Sequence, residues 1–303
     1  MEPADPVGIC ATAVDNASIH ESEPNPFRTM SSATVSEPTP KNMPTPPRLR
    51  GVPSDRRRAL VIGASSGMGA ALVRQLAAEG YRVAALARRG ELLGELAEAC
   101  RPACEQSGGA VSVYTHDVTD VASIPALFEQ VVRDLGGLDL AIYAAGIMPT
   151  IKADEYDTEK DLAQVEVNLS GCIAWGNEIA RLLRTQRSGT LVGISSIAGD
   201  RGRKGNPVYN TTKAAMNCYL EALRNRLSEV GVRVVTIKPG FVDTPMTEGL
   251  GLRGAISADK AASQILGAAR GSFWNTRYIP IKWLLVGTII RLIPSFIFKK
   301  LSI

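Results

Sequence analysis

The stretch NPVYNTTKAAM, residues 206–216, sets Tyr209 and Lys213 four positions apart just after a proline. On a helix, residues at i and i+4 share one face. A phenol titrates near ~10 and a lysine near ~10.4, so on a bare helix the pair gains little from being adjacent. Its use must lie in what else reaches the same place. Thirteen residues before Tyr209 stands Ser196, closing the apolar run TLVGISS. If that run is a strand of a parallel sheet, Ser196 sits at its carboxyl end, where ligands of such sheets collect. A serine, a tyrosine and a lysine then converge on one crevice.

A second group of residues says what else occupies that crevice. VIGASSGMGAAL places Gly63, Gly67 and Gly69 between an apolar run and a helical pattern. Such a turn needs one glycine to fold sharply, one to admit a pyrophosphate and one to pack the helix on the sheet. The helix start then offers unpaired N–H groups and a positive dipole end to the phosphates. A glycine-rich turn alone is weak; its place after a strand and before a helix points to a dinucleotide. The next apolar run ends ALARRGEL, with Ala87 where an acid would hold the ribose of NAD. Arg88 and Arg89 follow, and a guanidinium grips a 2′-phosphate with paired hydrogen bonds. NADP is therefore expected in preference to NAD.

These residues need a frame, and from residue 58 onward the chain supplies one. RALVIG (58–63), YRVAALAR (81–88), AVSVYTHD (110–117), LDLAIYAAG (138–146), TLVGISS (190–196) and VRVVTIKPG (232–240) read as strands. AALVRQLAAEG (70–80) and ELLGELAEAC (91–100) read as helices, and helical patterns separate the later strands. Short runs rich in Val, Ile and Ala fit strands covered on both faces. The alternation predicts an α/β fold, a doubly wound parallel sheet of Rossmann type with right-handed crossovers. One catalytic domain is expected over 56–272, after a Pro-rich leader (1–55) and before an apolar, basic helical extension (273–303). Ten of the 18 prolines precede residue 54, and the leader, poor in aromatics, is expected to be disordered. It lacks the apolar centre of a secretion signal, and its acids speak against a transit peptide.

Composition removes several classes of function. At 303 residues, 45% of them hydrophobic, the chain can build a substantial core. Its net charge of +4 gives no reason to expect nucleic acid. Residues 1–47 hold six acids against two bases, so −4 lies there and +8 in the rest. The five cysteines (Cys10, Cys100, Cys104, Cys172, Cys218) are scattered and odd in number, as idle thiols in a reducing cytoplasm would be. With His20 in the leader, a histidine base depends on His116 alone, and the same scarcity leaves no metal site expected. GISSIAG lacks the second glycine of a serine elbow, Ile197 standing in its place, so a hydrolase is rejected.

Taken together, residues 58–270 resemble the short-chain dehydrogenase/reductase family. The matching pieces are GASSGMG (63–69), DV (117–118), AAG (144–146), Asn168 in VNLSG, Ser196, YNTTK (209–213) and KPGFVDT (238–244). The resemblance implies that Tyr209 is the general acid for carbonyl reduction, made acidic enough by the charge of Lys213. It implies that Ser196 holds the carbonyl oxygen, that Lys213 also holds the nicotinamide ribose, and that Asn168 binds a water that refills the proton. It assigns the cofactor to Gly63, Ser65, Ser66, Gly67, Met68 and Gly69 at the turn and to Arg88 and Arg89 beyond it. Asp117 and Val118 are implied near the adenine, with Ala145 and Gly146 along the crevice. Pro239, Gly240, Val242 and Thr244 are implied around the nicotinamide, beside Tyr209 and Lys213. A homo-oligomer, dimer or tetramer, is implied as well. Two departures stand out: Ile62 where the family usually has threonine, and Tyr143–Ala144 where it often has two asparagines. The bracing of the central strands is thus an open point.

KWLLVGTIIRLIPSFIFKK (282–300) is the most hydrophobic stretch, but Arg291 and Pro294 interrupt it well short of the ~20 residues that span a bilayer. Trp283 with Lys282, Lys299 and Lys300 can seat a helix pair on an anionic bilayer. A hairpin packed over the substrate cleft or at a subunit interface stands level with that reading. Either implies a small apolar carbonyl or alcohol substrate, lipid- or steroid-like. The expectation is a cytoplasmic NADP-dependent oxidoreductase, at the membrane surface if the first reading of the tail holds. Its rival is an NADP(H)-binding sensor or scaffold without turnover, against which the Ser-Tyr-Lys-Asn set speaks.

Overall fold

The run RALVI forms strand β1 (Arg58–Ile62), in which Ala59 to Ile62 are fully buried. The computed structural model describes residues 57–152, 154–249, 251, 253–271 and 274–301; the expected leader lies outside them. The other strands expected from the apolar runs follow as β2 (Arg82–Ala87), β3 (Ala110–Thr115), β4 (Leu140–Tyr143), β5 (Thr190–Ile194) and β6 (Arg233–Pro239). β7 (Val242–Asp243) and β8 (Ile256–Ser257) pair in a small ribbon, and β9 (Thr276–Ile279) returns to the main sheet. That sheet is parallel, in the order β3-β2-β1-β4-β5-β6-β9. The chain grows outward one way from β1 and then the other way from β4. Between them, where Ile62 faces Leu86 on one side and Tyr143 on the other, the order reverses. Ligands enter such sheets at this point, beyond the carboxyl ends of the strands.

Helices cover both faces. α1 (Gly67–Ala78), α2 (Gly90–Ser107) and α7 (Ala258–Arg270) seal one core, where Leu72, Leu76, Leu93 and Ile265 are wholly buried. α3 (Ile124–Leu135), α5 (Gly171–Gln186) and α6 (Pro207–Leu227) seal the other around Trp175, Ile179 and Met216. Each large aliphatic side chain so buried contributes roughly 1.5–3 kcal/mol, which makes the two-sided sheet a rigid platform. α4 (Thr158–Val165) starts at Asp157, whose side chain accepts from Lys160 N. The tail forms α8 (Lys282–Leu292) and α9 (Ser295–Phe298). No described helix is long and apolar enough to cross a membrane.

Two sequence expectations need correction. β3 is not covered on both faces: it forms one edge of the sheet, and Val113 is 43% exposed. Its apolar residues suited an edge equally well. The seventh strand, β9, was not expected. Four residues alongside β6 are too short to show periodicity, and only the pairing of Thr236 with Thr276 through Pro239 with Ile279 creates the strand.

Candidate active site

At the switch point a cavity of about 670 Å³ opens against the glycine turn. Gly63, Ser65, Ser66, Gly67, Met68 and Gly69 line it, with Arg88 and Arg89 after β2, Val118 after β3, Ala145 and Gly146 after β4, and Thr244. Gly63 has φ +89°, and a Cβ there would overlap the Ala145 backbone; one at Gly69 would overlap the Gly63 carbonyl. The turn therefore presses against both the β4 exit and its own helix, leaving bare backbone towards the cavity. That shape, with the start of a 12-residue helix beside it, fits the phosphates of a dinucleotide.

Arg89 lies across the turn, its Nη2 donating to Ser65 Oγ at 2.9 Å and to Ser66 Oγ at 2.7 Å. Arg88 Nη1 approaches Asp117 Oδ2 at 3.5 Å. Ala87 lines the same corner, beside Arg88 and Arg89. Asp117 does not line the cavity. Burial disfavours its charge, but the Thr119 N–H and hydroxyl and then Arg88 outweigh that and lower its pKa. It steadies Arg88 and the turn after β3.

A second cavity of about 260 Å³ adjoins the first, sharing Met68, Met148, Thr244 and Met246 with it. Here the expected chemical residues meet: Ser196 and Tyr209, with Pro239, Gly240 and Val242 opposite. The side chain of Ser196 accepts from Ala198 N at 3.0 Å, and its hydroxyl favours the ionised Tyr209 phenol. Pro207 begins α6, where its missing N–H costs nothing, and this sets Tyr209 in the first turn. Lys213, 4% exposed, places Nζ 5.7 Å from the centre of the Tyr209 ring and donates to Ile194 O at 3.1 Å.

The electrostatics depart from the implied scheme. Burial pushes the Tyr209 phenol above its usual value; the Ser196 hydrogen bond and the charge of Arg203 pull the other way without overcoming it. Lys213 is brought down to about 8, chiefly by burial, with Cys172 opposing. Arg203, which sequence reasoning missed, is a second cation near the phenol. It lines the second cavity, donates from Nη2 to Asn210 Oδ1 at 3.3 Å, and has a buried Nε with no partner among the described residues. One of three basic residues in the loop DRGRKGN, Arg203 carried no signal of its own.

Asn168 lies in a π-helical turn, Glu166–Ser170, fully buried. Its Oδ1 accepts from Ile147 N at 2.8 Å, and Nδ2 donates to Ile147 O at 3.0 Å and Thr212 Oγ1 at 3.3 Å. The amide is spent on bracing the β4 exit against α6. Tyr143 answers the question of the missing asparagines: its hydroxyl, fully buried, donates to Val167 O at 2.6 Å and ties β4 to the π-helical turn. Ser195 Oγ donates to Lys213 O at 3.1 Å and is structural. His116 lines the first cavity, its Nε2 2.9 Å from Ser123 Oγ, whereas Ser195 and Ser196 line the second, so His116 is paired with neither of them.

The loop after Ser196 is clamped from behind. Asp200 receives Lys238 Nζ at 2.5 Å and the Tyr278 hydroxyl at 2.8 Å, joining the short turn Ile197–Asp200 to β6 and β9. Trp283 of α8 packs on Gly240, where a Cβ would overlap its indole nitrogen, and meets Phe241 edge to face at 4.8 Å. Among the described residues no cluster could hold a metal ion.

Comparison with known proteins places the chain in a family. The short chain dehydrogenase family profile matches residues 57–253. An uncharacterized oxidoreductase of Staphylococcus epidermidis is 32% identical over 210 residues, covering 69% of this chain and 88% of that one. One from Myxococcus xanthus is 36% identical over 191 residues, covering 63% and 74%. The crystal structure of a variant of actinorhodin polyketide ketoreductase with NADPH superposes with a TM-score of 0.66, at 26% identity, over 74% of this chain and 96% of that one.

Proposed function

The chain belongs to the short chain dehydrogenase/reductase family and is an NAD(P)-dependent oxidoreductase; we propose that it uses NADP to interconvert a ketone or aldehyde and its alcohol on an apolar substrate. The observation that carries this reading is the junction of the two cavities, with Ser196 and Tyr209 in the wall of the smaller one. NADPH, when bound, supplies the hydride; the glycine turn and the two arginines would hold its phosphates. Tyr209 donates its proton to the carbonyl oxygen as negative charge grows there, and Ser196 shares that oxygen. Arg203 and Lys213 offset the charge left on the phenol. Asn168 holds the loop after β4 and so the shape of the crevice.

Apolar substrates are favoured by Met68, Met148, Ile197, Phe241, Val242 and Met246 around the smaller cavity. Among the described residues Arg203 is the one charged side chain lining it, suited to a substrate with a polar or anionic end. The NADPH found with the polyketide ketoreductase is in keeping with the arginines here. Free thiols at Cys100, Cys104, Cys172 and Cys218 suit the cytoplasm, and an oligomer is in keeping with the family.

The test is NADPH oxidation across a panel of apolar ketones, with Tyr209→Phe as control. Removal of the acid should cost about 10²–10⁴-fold in kcat while coenzyme still binds. Equal turnover by the variant would refute the assignment. Coenzyme binding with no turnover of any ketone or alcohol would favour a sensor.

A further inference from the structure

We propose that α8 and α9 seat the protein on an anionic lipid surface, their outer face lying in the plane of the membrane. A helix that is apolar all round belongs in an interior. α8, KWLLVGTIIRL, is apolar on nearly every side, interrupted after Lys282 by Thr288 and Arg291 alone, yet only one line of it is covered. Trp283 rests on Gly240 and Phe241, and Gly287 lies against Tyr278 and Asp200 one turn on. On the other side Leu285 is 67% exposed, Ile289 53%, Leu292 76% and Phe296 66%.

This face is held outward by built contacts. Arg201 donates from Nη1 to Ile290 O at 2.7 Å and also to Ile293 O, capping the end of α8. Its guanidinium stands 3.9 Å from the centre of the Phe298 ring, fixing α9 as well. The apolar row is thus part of the folded surface.

Charge selects what covers it. Lys282 begins α8 and Lys299 and Lys300 follow α9, all three exposed, and residues 282–300 contain no acid. Two copies pairing through this face would set like charges against each other. Anionic headgroups meet the cations while the apolar row enters the acyl boundary by about 5–10 Å. With 11 residues, α8 can only lie along the surface. Trp283 also touches two residues that line the smaller cavity, so an apolar molecule dissolved in that lipid arrives beside it. None of this depends on the chemistry at Tyr209.

The experiment is co-sedimentation of the full chain with vesicles of phosphatidylglycerol and phosphatidylcholine, against phosphatidylcholine alone, with light scattering in parallel. Two variants accompany it: Leu285→Gln with Ile289→Gln, Leu292→Gln and Phe296→Gln, and the pair Lys299→Glu with Lys300→Glu. Binding to the anionic vesicles, weakened by salt and about tenfold or more by either variant, is expected. The lysine pair is exposed, so it reports even if the glutamine variant misfolds. Wild-type protein left in the supernatant, or unchanged binding by the lysine variant, would overturn the proposal. So would a fall in mass of the glutamine variant without vesicle binding by the wild type, which would make this face an interface between copies.

Discussion

Lys213 Nζ lies 5.7 Å from the centre of the Tyr209 ring while donating to the Ile194 carbonyl at 3.1 Å, so the lysine is anchored to β5 and faces the phenol from behind. Burial brings its pKa down to about 8. Below that value the ammonium is charged and helps the crevice bear a phenolate; above it the charge is lost. Carbonyl reduction should therefore fall as pH rises through about 8. Lys213→Arg, which stays protonated, should lose that inflection, whatever its absolute rate. A kcat/KM profile for the wild type that stays flat up to pH ~10 would contradict this.

Arg203 pulls the Tyr209 phenol down against the effect of burial. Replacing it with Met removes a cation, so the phenol should become harder to ionise. Alcohol oxidation needs the phenolate, and its acidic limb should move to higher pH by about one unit in Arg203→Met. A profile superimposable on the wild type would show that the guanidinium does not act on the phenol. The same variant should raise KM most for substrates with an anionic end.

Arg89 spans Ser65 and Ser66 at the edge of the larger cavity. A charged hydrogen bond to a 2′-phosphate is worth about 1.5–3 kcal/mol, equivalent to roughly 10–100-fold. Arg89→Ala should lose that factor in kcat/KM with NADPH and change little with NADH. A wild-type preference for NADH would remove the NADP reading altogether.

Gly240 owes its identity to Trp283, because a Cβ there would overlap the indole. Gly240→Ala should destabilise by about 1–3 kcal/mol, as overpacking does. Adding Trp283→Ala to it should cost less than the sum of the two single changes. Thermal melts of the four proteins decide it; strict additivity would mean the helix simply moves aside.

Much of the site was legible without coordinates because its residues are tied to strand ends and helix starts. Gly63, Gly67 and Gly69 announce a turn that no side chain could enter, and the i, i+4 pair of Tyr209 and Lys213 needs only a helix. Asn168 and Tyr143 show where that legibility stops. Their hydrogen bonds join segments more than 20 residues apart, and no local pattern records such a pairing.

Period and spacing, which are local, settled the alternating elements, the phosphate turn and the order of the reactive residues along the chain. The edge position of β3, the strand β9, the approach of Arg203 to Tyr209 and the seating of Trp283 on Gly240 arose only on folding. Each depends on which distant surfaces are brought together and how deeply they are buried, and burial is what sets the charge state of a phenol or an ammonium.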